Sequence, residues 1–293
     1  MRVLMTALLV LASGLANAEI RVAATTANLG MLSSTIGGEA VSVSVLAPPD
    51  RNVHYLEARP SMMATLRRSD LVVAVGAGLE VGWLPSAISN AGNSAIREGT
   101  DGYFAGSEHT TLIEQGQAAD RSGGDVHPEG NPHFYMDPVK LAEVGHALAD
   151  RLAELDPGNA ETFRRNAESF EDRAREHVAE WREQARNAPG VVLYHKDIDY
   201  LMERLDVPVH GYLEPLPGVE PTARHLSSLV SDLKDEEGVV LFAEFQPDRG
   251  ARFLERELDW PWQALPTQVQ PGDDAASYFR MIEQWVTALE PNA

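Results

Sequence analysis

The 293-residue chain contains no cysteine. This absence excludes disulfides, zinc–thiolate sites, iron–sulfur clusters and thiol catalysis, because each of these requires a cysteine sulfur. A transition metal bound by the chain would have to be held by histidine and carboxylate side chains. The nine histidines are therefore the first residues to consider as ligands.

Positive charge is also scarce. The chain has 24 Lys and Arg residues against 44 Asp and Glu, which gives a net charge of −20 at pH 7. Nucleic acid is not an expected partner, because phosphate binding requires a basic face. The acidity could favour capture of a cation, but we favour the alternative that it forms a solvated surface. A chain of this length can bury a large core and is expected to divide into two lobes.

A long apolar run lies at the very start of the chain. Met1-Arg2 is a short basic segment, residues 4–15 are largely apolar, and Ala16-Asn17-Ala18 is a cleavage signal of the A-x-A type. The run is too short for a membrane span, and a buried N-terminal helix is the alternative. We expect residues 1–18 to be a signal peptide and, with no cysteine at the cleavage point, no lipid anchor. The expected mature protein lies in the periplasm and is not inserted in a membrane.

The rest of the chain alternates between strand and helix patterns. This order predicts an α/β fold of mostly parallel sheets flanked by helices. In the first part the predicted strands are 20–24, 41–46 and 71–75, and the predicted helices lie near 29–37, from Pro60 onward and from Pro138 onward. In the last part the predicted strands are 190–194, 207–212 and 239–243, and the predicted helices are 198–205, 221–233, 249–258 and 275–289.

Residues 158–189 are predicted to form one long helix between these parts. Apolar residues keep spacings of three and four from Ala160 to Ala185, and Pro189-Gly190 ends the pattern. Roughly 30 residues would extend ~45 Å, which is longer than one small lobe. A coiled-coil oligomer is the alternative. Because α/β patterns resume directly afterwards, we favour a monomer in which a rigid helix joins two lobes, at 19–157 and 190–293.

Two further segments carry weaker signals. Residues 76–82 imitate a dinucleotide-binding loop, but their glycine spacing is one residue too long, so we predict a tight turn into a helix that carries Val81, Trp83 and Leu84. Residues 100–132 have the composition of a long loop and include His109 and His127. His127 could help to recruit a cation, or it could simply be solvated.

Three histidines stand in distinctive surroundings and are candidate metal ligands. They lie in the phrases Asn52-Val53-His54-Tyr55, Asn131-Pro132-His133-Phe134 and Val191-Val192-Leu193-Tyr194-His195. His195 and Glu244 each follow the carboxyl end of a predicted strand, which is the edge where ligands bind in open α/β sheets. Taken singly, each histidine could instead be an exposed loop residue or a structural one. Surface or structural roles are expected for the others, including His146, His177 and His225.

The chain resembles the metal-binding receptors of ABC importers, in the zinc and manganese branch that has a rigid interdomain helix. The resemblance covers essentially all of the expected mature chain, and no single phrase carries it alone. It rests on His54 after the second strand and on five phrases in order: RSDLVVAVGAGLEVGW at 68–83, GNPHFYMDP at 130–138, VVLYH at 191–195, LEPLPGVEPT at 213–222 and LFAEFQ at 241–246.

The resemblance implies a metal held in a cleft between the lobes, with His54 and His133 from the first lobe and His195 from the second. It also exposes a departure from the family pattern. Many relatives have an aspartate after the last strand, whereas residues 265–270 here contain no acid. Glu244 is the predicted fourth ligand, with a role in orienting a ligand imidazole as its alternative. Water or an aspartate could also fill the position, although Asp273 and Asp274 could simply cap the last helix.

Three imidazoles and one oxygen suit tetrahedral zinc, whereas manganese prefers more carboxylate, so zinc is the expected metal, with manganese as the less favoured one. The resemblance implies a receptor that delivers the ion to an inner-membrane ABC permease and is not an enzyme. A periplasmic metallochaperone and a zinc-dependent hydrolase are the alternatives. For the hydrolase, Glu57 and Asp197 are the nearest acids that could act as a base, but neither belongs to a recognisable catalytic motif.

Overall fold

The computed structural model describes residues 19–116, 125 and 127–290. The predicted signal peptide and part of the segment at 100–132 lie outside these residues. Among the described residues, no helix is both long enough and apolar enough to cross a membrane.

The first half of the chain builds a four-stranded parallel sheet. Its strand order is β2-β1-β3-β4, with every neighbouring pair parallel. The central strands are almost wholly buried because helices cover both faces, which is why they read as continuous apolar runs. The strands are β1 (Ile20–Ala24), β2 (Val41–Val45), β3 (Leu71–Ala74) and β4 (Tyr103–Ala105).

Local side-chain chemistry fixes where the helices of this half begin. The Thr26 hydroxyl accepts a hydrogen bond from the Leu29 amide at the start of α1. The Asp137 carboxylate accepts from two amides at the start of α4, where Pro138 occupies the first helical position as predicted. The helices are α1 (Ala27–Gly37), α2 (Pro60–Arg68), α3 (Leu84–Ala91) and α4 (Pro138–Leu155).

The predicted long helix is present as α5 (Ala160–Gln184). Its 25 residues extend about 37 Å, less than expected, because 3₁₀ turns at 157–159 and 185–187 flank it. It packs against α1 and α4 of the first half and against two helices of the second half, so it joins the two lobes. The buried stripe is Phe163, Ala167, Phe170, Ala174, Val178 and Trp181.

The second half repeats the topology of the first. Its sheet has the order β6-β5-β7-β8 and is again parallel throughout. The strands are β5 (Val191–Leu193), β6 (Val209–Tyr212), β7 (Val239–Ala243) and β8 (Trp262–Leu265). The helices are α6 (Asp199–Leu205), α7 (Ala223–Leu233), α8 (Arg249–Leu258) and α9 (Ala275–Thr287).

Two strands were not predicted. β4 lies inside the segment interpreted as a loop, and β8 lies between Pro261 and Pro266. Both lie at the edge of a sheet and lack the fully buried apolar run that marks inner strands such as β3 and β5, and pairing with a neighbouring strand defines them. The turn at 76–82 is present, but α3 begins only at Leu84, so Val81 and Trp83 precede the helix instead of lying in it.

Hydrogen bonds also cross directly between the lobes. The Asn28 side chain, at the start of α1, donates to the Thr267 carbonyl and accepts from the Val269 amide. The Tyr278 hydroxyl on α9 donates to the Tyr135 carbonyl. Buried apolar residues of both halves form one continuous cluster. The lobes are therefore joined by packing and polar contacts as well as by α5.

Replacing Phe170 by alanine tests the packing between α5 and α9. The ring is 1% exposed and lies beside Tyr278 and Phe279. We expect Phe170→Ala to lower the free energy of unfolding by about 3–5 kcal/mol, because it removes buried surface and leaves a cavity. Chemical denaturation measures the change. Glu168→Ala, at an exposed position on the same helix, is the control and should change stability by no more than about 0.5 kcal/mol. Equal effects of the two substitutions would contradict this packing.

Candidate metal centre

The structure brings the three predicted histidines together at the carboxyl ends of the strands. His54 lies in a 3₁₀ turn beyond β2, His133 directly precedes another such turn, and His195 follows β5. One ring nitrogen from each lies within 4.8 Å of the other two. The ring centroids are 5.3 Å apart for His54 and His133, 5.7 Å for His54 and His195, and 5.4 Å for His133 and His195. Imidazoles from both lobes therefore converge on one point.

The same local device orients the two histidines of the first lobe. Asn52 and Asn131 each stand two residues before a histidine. The Asn52 side-chain oxygen accepts from the backbone amide of His54 at 3.0 Å and lies 2.8 Å from its Nδ1. The Asn131 oxygen makes the same pair of contacts with His133, at 2.9 and 2.8 Å. Because each oxygen accepts, each Nδ1 carries the proton, and each Nε2 presents its lone pair to the cluster.

A carboxylate performs the corresponding task for His195. The Nδ1 of His195 lies 2.8 Å from an oxygen of Glu214, which also accepts from the Gly218 amide at 2.9 Å. An acidic partner fixes the ring and raises its basicity as a ligand. Glu214 follows β6, so its place at the ligand-binding edge of the sheet is a signal in the sequence, although no role was predicted for it.

His133 and His195 are both buried, but their pKa values differ because their charged neighbours differ. Burial lowers the pKa of His133 well below its ordinary value, and the nearby imidazoles of His54, His195 and His127 lower it further. Burial also lowers the pKa of His195, but the carboxylates of Glu214, Asp197 and Asp125 outweigh that effect, and its pKa is raised. His133 is thus held neutral, in the form that binds metal.

The space between the imidazoles is small. The cavity measures about 20 Å³, which is room for one water-sized or ion-sized guest. Asp197 also lines it and is 5% exposed. Burial raises the pKa of its carboxyl to about 6. Its Oδ2 accepts from the Gln246 amide at 3.2 Å, and its Oδ1 has no hydrogen-bond partner in the described part of the chain.

The structure does not bring Glu244 to the histidines. The residue follows β7 as predicted, but its side chain is exposed and lies outside the group of converging ligand atoms. It lines a neighbouring cavity of about 280 Å³ with Asp50 and Gln270. The residue after a buried strand can turn toward either side of the sheet edge, and here it turns away. Asp273 and Asp274 accept hydrogen bonds from nearby amides, and Asp274 caps α9.

His127 lies beside the cluster, which its position in a long loop did not reveal. Its Nε2 is 3.1 Å from the Nε2 of His54, and its Nδ1 is 3.0 Å from the Ala77 carbonyl. The five remaining histidines make other contacts. His109 stacks on Phe104, His146 contacts Glu171, His177 stacks on Trp181, His210 lies beside the Trp260 ring, and His225 contacts the Tyr212 carbonyl.

Comparison with known proteins agrees with this geometry. The sequence model of the family described as zinc-uptake complex component A, periplasmic, matches residues 22–291. The chain belongs to this family.

Individual relatives are distant but span most of the chain. A metal ABC transporter substrate-binding lipoprotein, ScbA of Streptococcus cristatus, is 23% identical, with 91% of this chain and 86% of the relative covered. The high-affinity zinc uptake protein ZnuA of Yersinia pestis is 25% identical, with 74% and 73% covered. The structure of FpvC from Pseudomonas aeruginosa in complex with Mn²⁺ superposes with a TM-score of 0.76 at 23% identity, covering 92% of this chain and 97% of that one. This last likeness establishes the fold.

Replacing Glu214 by glutamine tests the orientation of His195. The amide keeps the shape of the side chain but removes the negative charge beside Nδ1. We expect Glu214→Gln to weaken Zn²⁺ binding by about 10–100-fold, the usual effect of losing an outer partner of a ligand histidine. Competition with a chromophoric chelator at fixed pH measures the constant. Glu220→Gln, at an exposed site in the same loop, should leave it unchanged, and an unchanged constant for Glu214→Gln would contradict the assignment.

Proposed function

We propose that this chain is a periplasmic receptor that captures a divalent transition metal, zinc in the first place, and delivers it to an ABC import permease. His54, His133 and His195 are its proposed ligands. The observation that supports the proposal most strongly is the convergence of three imidazole nitrogens within 4.8 Å around an ion-sized cavity. Membership of the zinc-uptake family supports the same function.

The chemistry of the ligands favours zinc over manganese. Neutral imidazoles are good ligands for Zn²⁺, whereas Mn²⁺ prefers carboxylate, carbonyl and water oxygens. Glu244, the carboxylate expected from the sequence, is not near the cluster. The relatives include proteins named for either metal, such as the zinc uptake protein of Yersinia pestis and a manganese receptor of Streptococcus gordonii. The preference of this chain therefore rests on its own ligands.

The size of the site argues against a hydrolase. A cavity of about 20 Å³ holds an ion or a water molecule, whereas pockets for organic substrates measure roughly 300–1,000 Å³. Glu57, one of the two acids considered as a base, is exposed. Asp197 does line the cavity, but the space beside it is ion-sized, which favours capture of an ion over turnover of an organic substrate. Import is therefore the function we propose.

The division of ligands between lobes suggests how the metal is released. Two proposed ligands belong to the first lobe and one to the second, so a small separation of the lobes would break the coordination sphere. Large hinge motion is opposed by α5 and by the hydrogen bonds of Asn28 and Tyr278 across the interface. We propose that docking of the monomeric receptor on the permease provides this small separation.

Metal titration of single variants tests the ligand set. We expect His54→Ala, His133→Ala and His195→Ala each to weaken Zn²⁺ binding by more than about 100-fold, which exceeds the usual effect of outer partners. Glu244→Ala is the matched control, because it removes a possible ligand that lies away from the cluster. It should change the binding constant by no more than about twofold. Tight 1:1 binding by His133→Ala, or its loss in Glu244→Ala, would refute the proposed site.

Growth under zinc limitation tests delivery to a permease. A strain that lacks this protein should grow poorly in chelator-treated medium and should take up little radioactive zinc. The wild-type gene should restore both growth and uptake, and the His133→Ala gene should restore neither. Undiminished zinc uptake in the deletion strain, with zinc missing from a periplasmic enzyme, would instead indicate a metallochaperone.

A further inference from the structure

The three proposed ligands occupy three of the four coordination positions of a tetrahedral site. Structural zinc sites are almost always four-coordinate. The described residues offer two side chains for the fourth position, His127 and Asp197. They differ in position: His127 lies against His54, whereas Asp197 lines the small cavity between the imidazoles, and neither belongs to the group of three nitrogens that lie within 4.8 Å of one another. They also differ in chemistry, since one would supply nitrogen and the other oxygen.

In the contact between His127 and His54, hydrogen bonds identify the ring nitrogen that carries the proton on each side chain. The Nδ1 of His54 faces the Asn52 side-chain oxygen and the Nδ1 of His127 faces the Ala77 carbonyl, so each Nδ1 donates its proton. In the neutral rings both Nε2 atoms are then acceptors, yet they lie 3.1 Å apart. At this separation the two lone pairs can share one cation: a proton, which would make one ring an imidazolium, or a metal ion that bonds to both nitrogens.

The distances match those of ligands on one metal ion. With Zn–N bonds of about 2.0–2.1 Å, neighbouring nitrogens of a tetrahedral site lie about 3.3–3.4 Å apart, close to the observed 3.1 Å. The ring centroids of His127 and His54 are 5.2 Å apart, as near as those of the three proposed ligands. The ring centroids of His127 and His133 are 6.2 Å apart, and the His127 ring would have to move toward the cluster for its Nε2 to join the three converging nitrogens.

The backbone around His127 holds the ring in this place. The Ala77 carbonyl that receives its Nδ1 belongs to the turn after β3, where Ala77 has a φ of 47°. The Gly130 amide donates to the His127 carbonyl and closes a tight turn. The Asp125 amide donates to the Pro217 carbonyl, which attaches this segment to the loop that carries Glu214. The position of the ring is thus set by both lobes.

We propose that His127 is the fourth metal ligand and that the site consists of four histidines. This inference rests on the proposed function. It also sharpens the expected selectivity, because four nitrogen ligands favour Zn²⁺ over Mn²⁺ more strongly than three nitrogens and an oxygen do. The absence of an acid at residues 265–270 is then compensated by an imidazole from the loop.

The coordination sphere of the full-length mature protein can be measured directly. X-ray absorption of the Zn²⁺ complex counts imidazole ligands, and the visible spectrum of the Co²⁺ complex reports its geometry. The wild type should show four imidazoles. His127→Ala should show three with an added oxygen, bind Zn²⁺ at least about tenfold more weakly, and lose part of its preference for Zn²⁺ over Mn²⁺. His109→Ala, which removes the other histidine of the same segment, should match the wild type.

Other results would overturn the inference. An X-ray absorption spectrum with three imidazoles and one oxygen in the wild type, and without that oxygen in Asp197→Asn, would identify Asp197 as the fourth ligand. An unchanged spectrum and affinity for His127→Ala would exclude that residue, and circular dichroism verifies that each variant is folded. Failure of the proposed function is seen separately, since wild type and His133→Ala would then bind Zn²⁺ equally poorly.

Discussion

The proposed site depends on one electrostatic constraint: to bind a metal ion, the imidazoles must be neutral and must point their Nε2 lone pairs at a common centre. Such an arrangement is unfavourable without a cation, because acceptors face acceptors in a poorly solvated space. Burial keeps His133 neutral, and oxygen acceptors at Nδ1 prevent each ring from rotating its proton inward. A bound metal ion would relieve this unfavourable arrangement.

The fold holds the histidines of the two lobes next to each other. Each lobe has the same parallel strand order, and the carboxyl ends of both sheets face the cluster. The helix α5 and the packing of α9 against it keep the two edges at a fixed separation. Asn131 both orients a histidine of the cluster and links the two lobes. Its oxygen orients His133, while its amide donates to the Lys196 carbonyl beside His195.

Much of this arrangement could be predicted from the sequence, because it follows from local patterns. The buried strands, the capped helices and the three histidines at strand ends or in flanking loops all have local signals. The outer strands β4 and β8 could not be predicted, since they lack the continuous buried apolar run that identifies inner strands of similar length such as β3 and β5. Glu244 does follow the predicted strand, but the direction of its side chain has no local signal in the sequence.

Two features of the site were visible in the sequence only in part. The asparagine two residues before both His54 and His133 is a repeated spacing whose meaning becomes clear from the hydrogen bonds. His127 offered no comparable signal, because it lies in a segment of loop composition and its place is defined by contacts with distant residues such as His54.

The central claim is that one metal ion binds at the common focus of these Nε2 atoms. A crystal structure of the zinc-loaded protein, with anomalous differences recorded at the zinc absorption edge, tests it most directly. The account predicts one strong peak about 2.0–2.1 Å from the Nε2 atoms of His54, His133 and His195. A peak bonded through Nδ1, or one located away from these three residues, would contradict it.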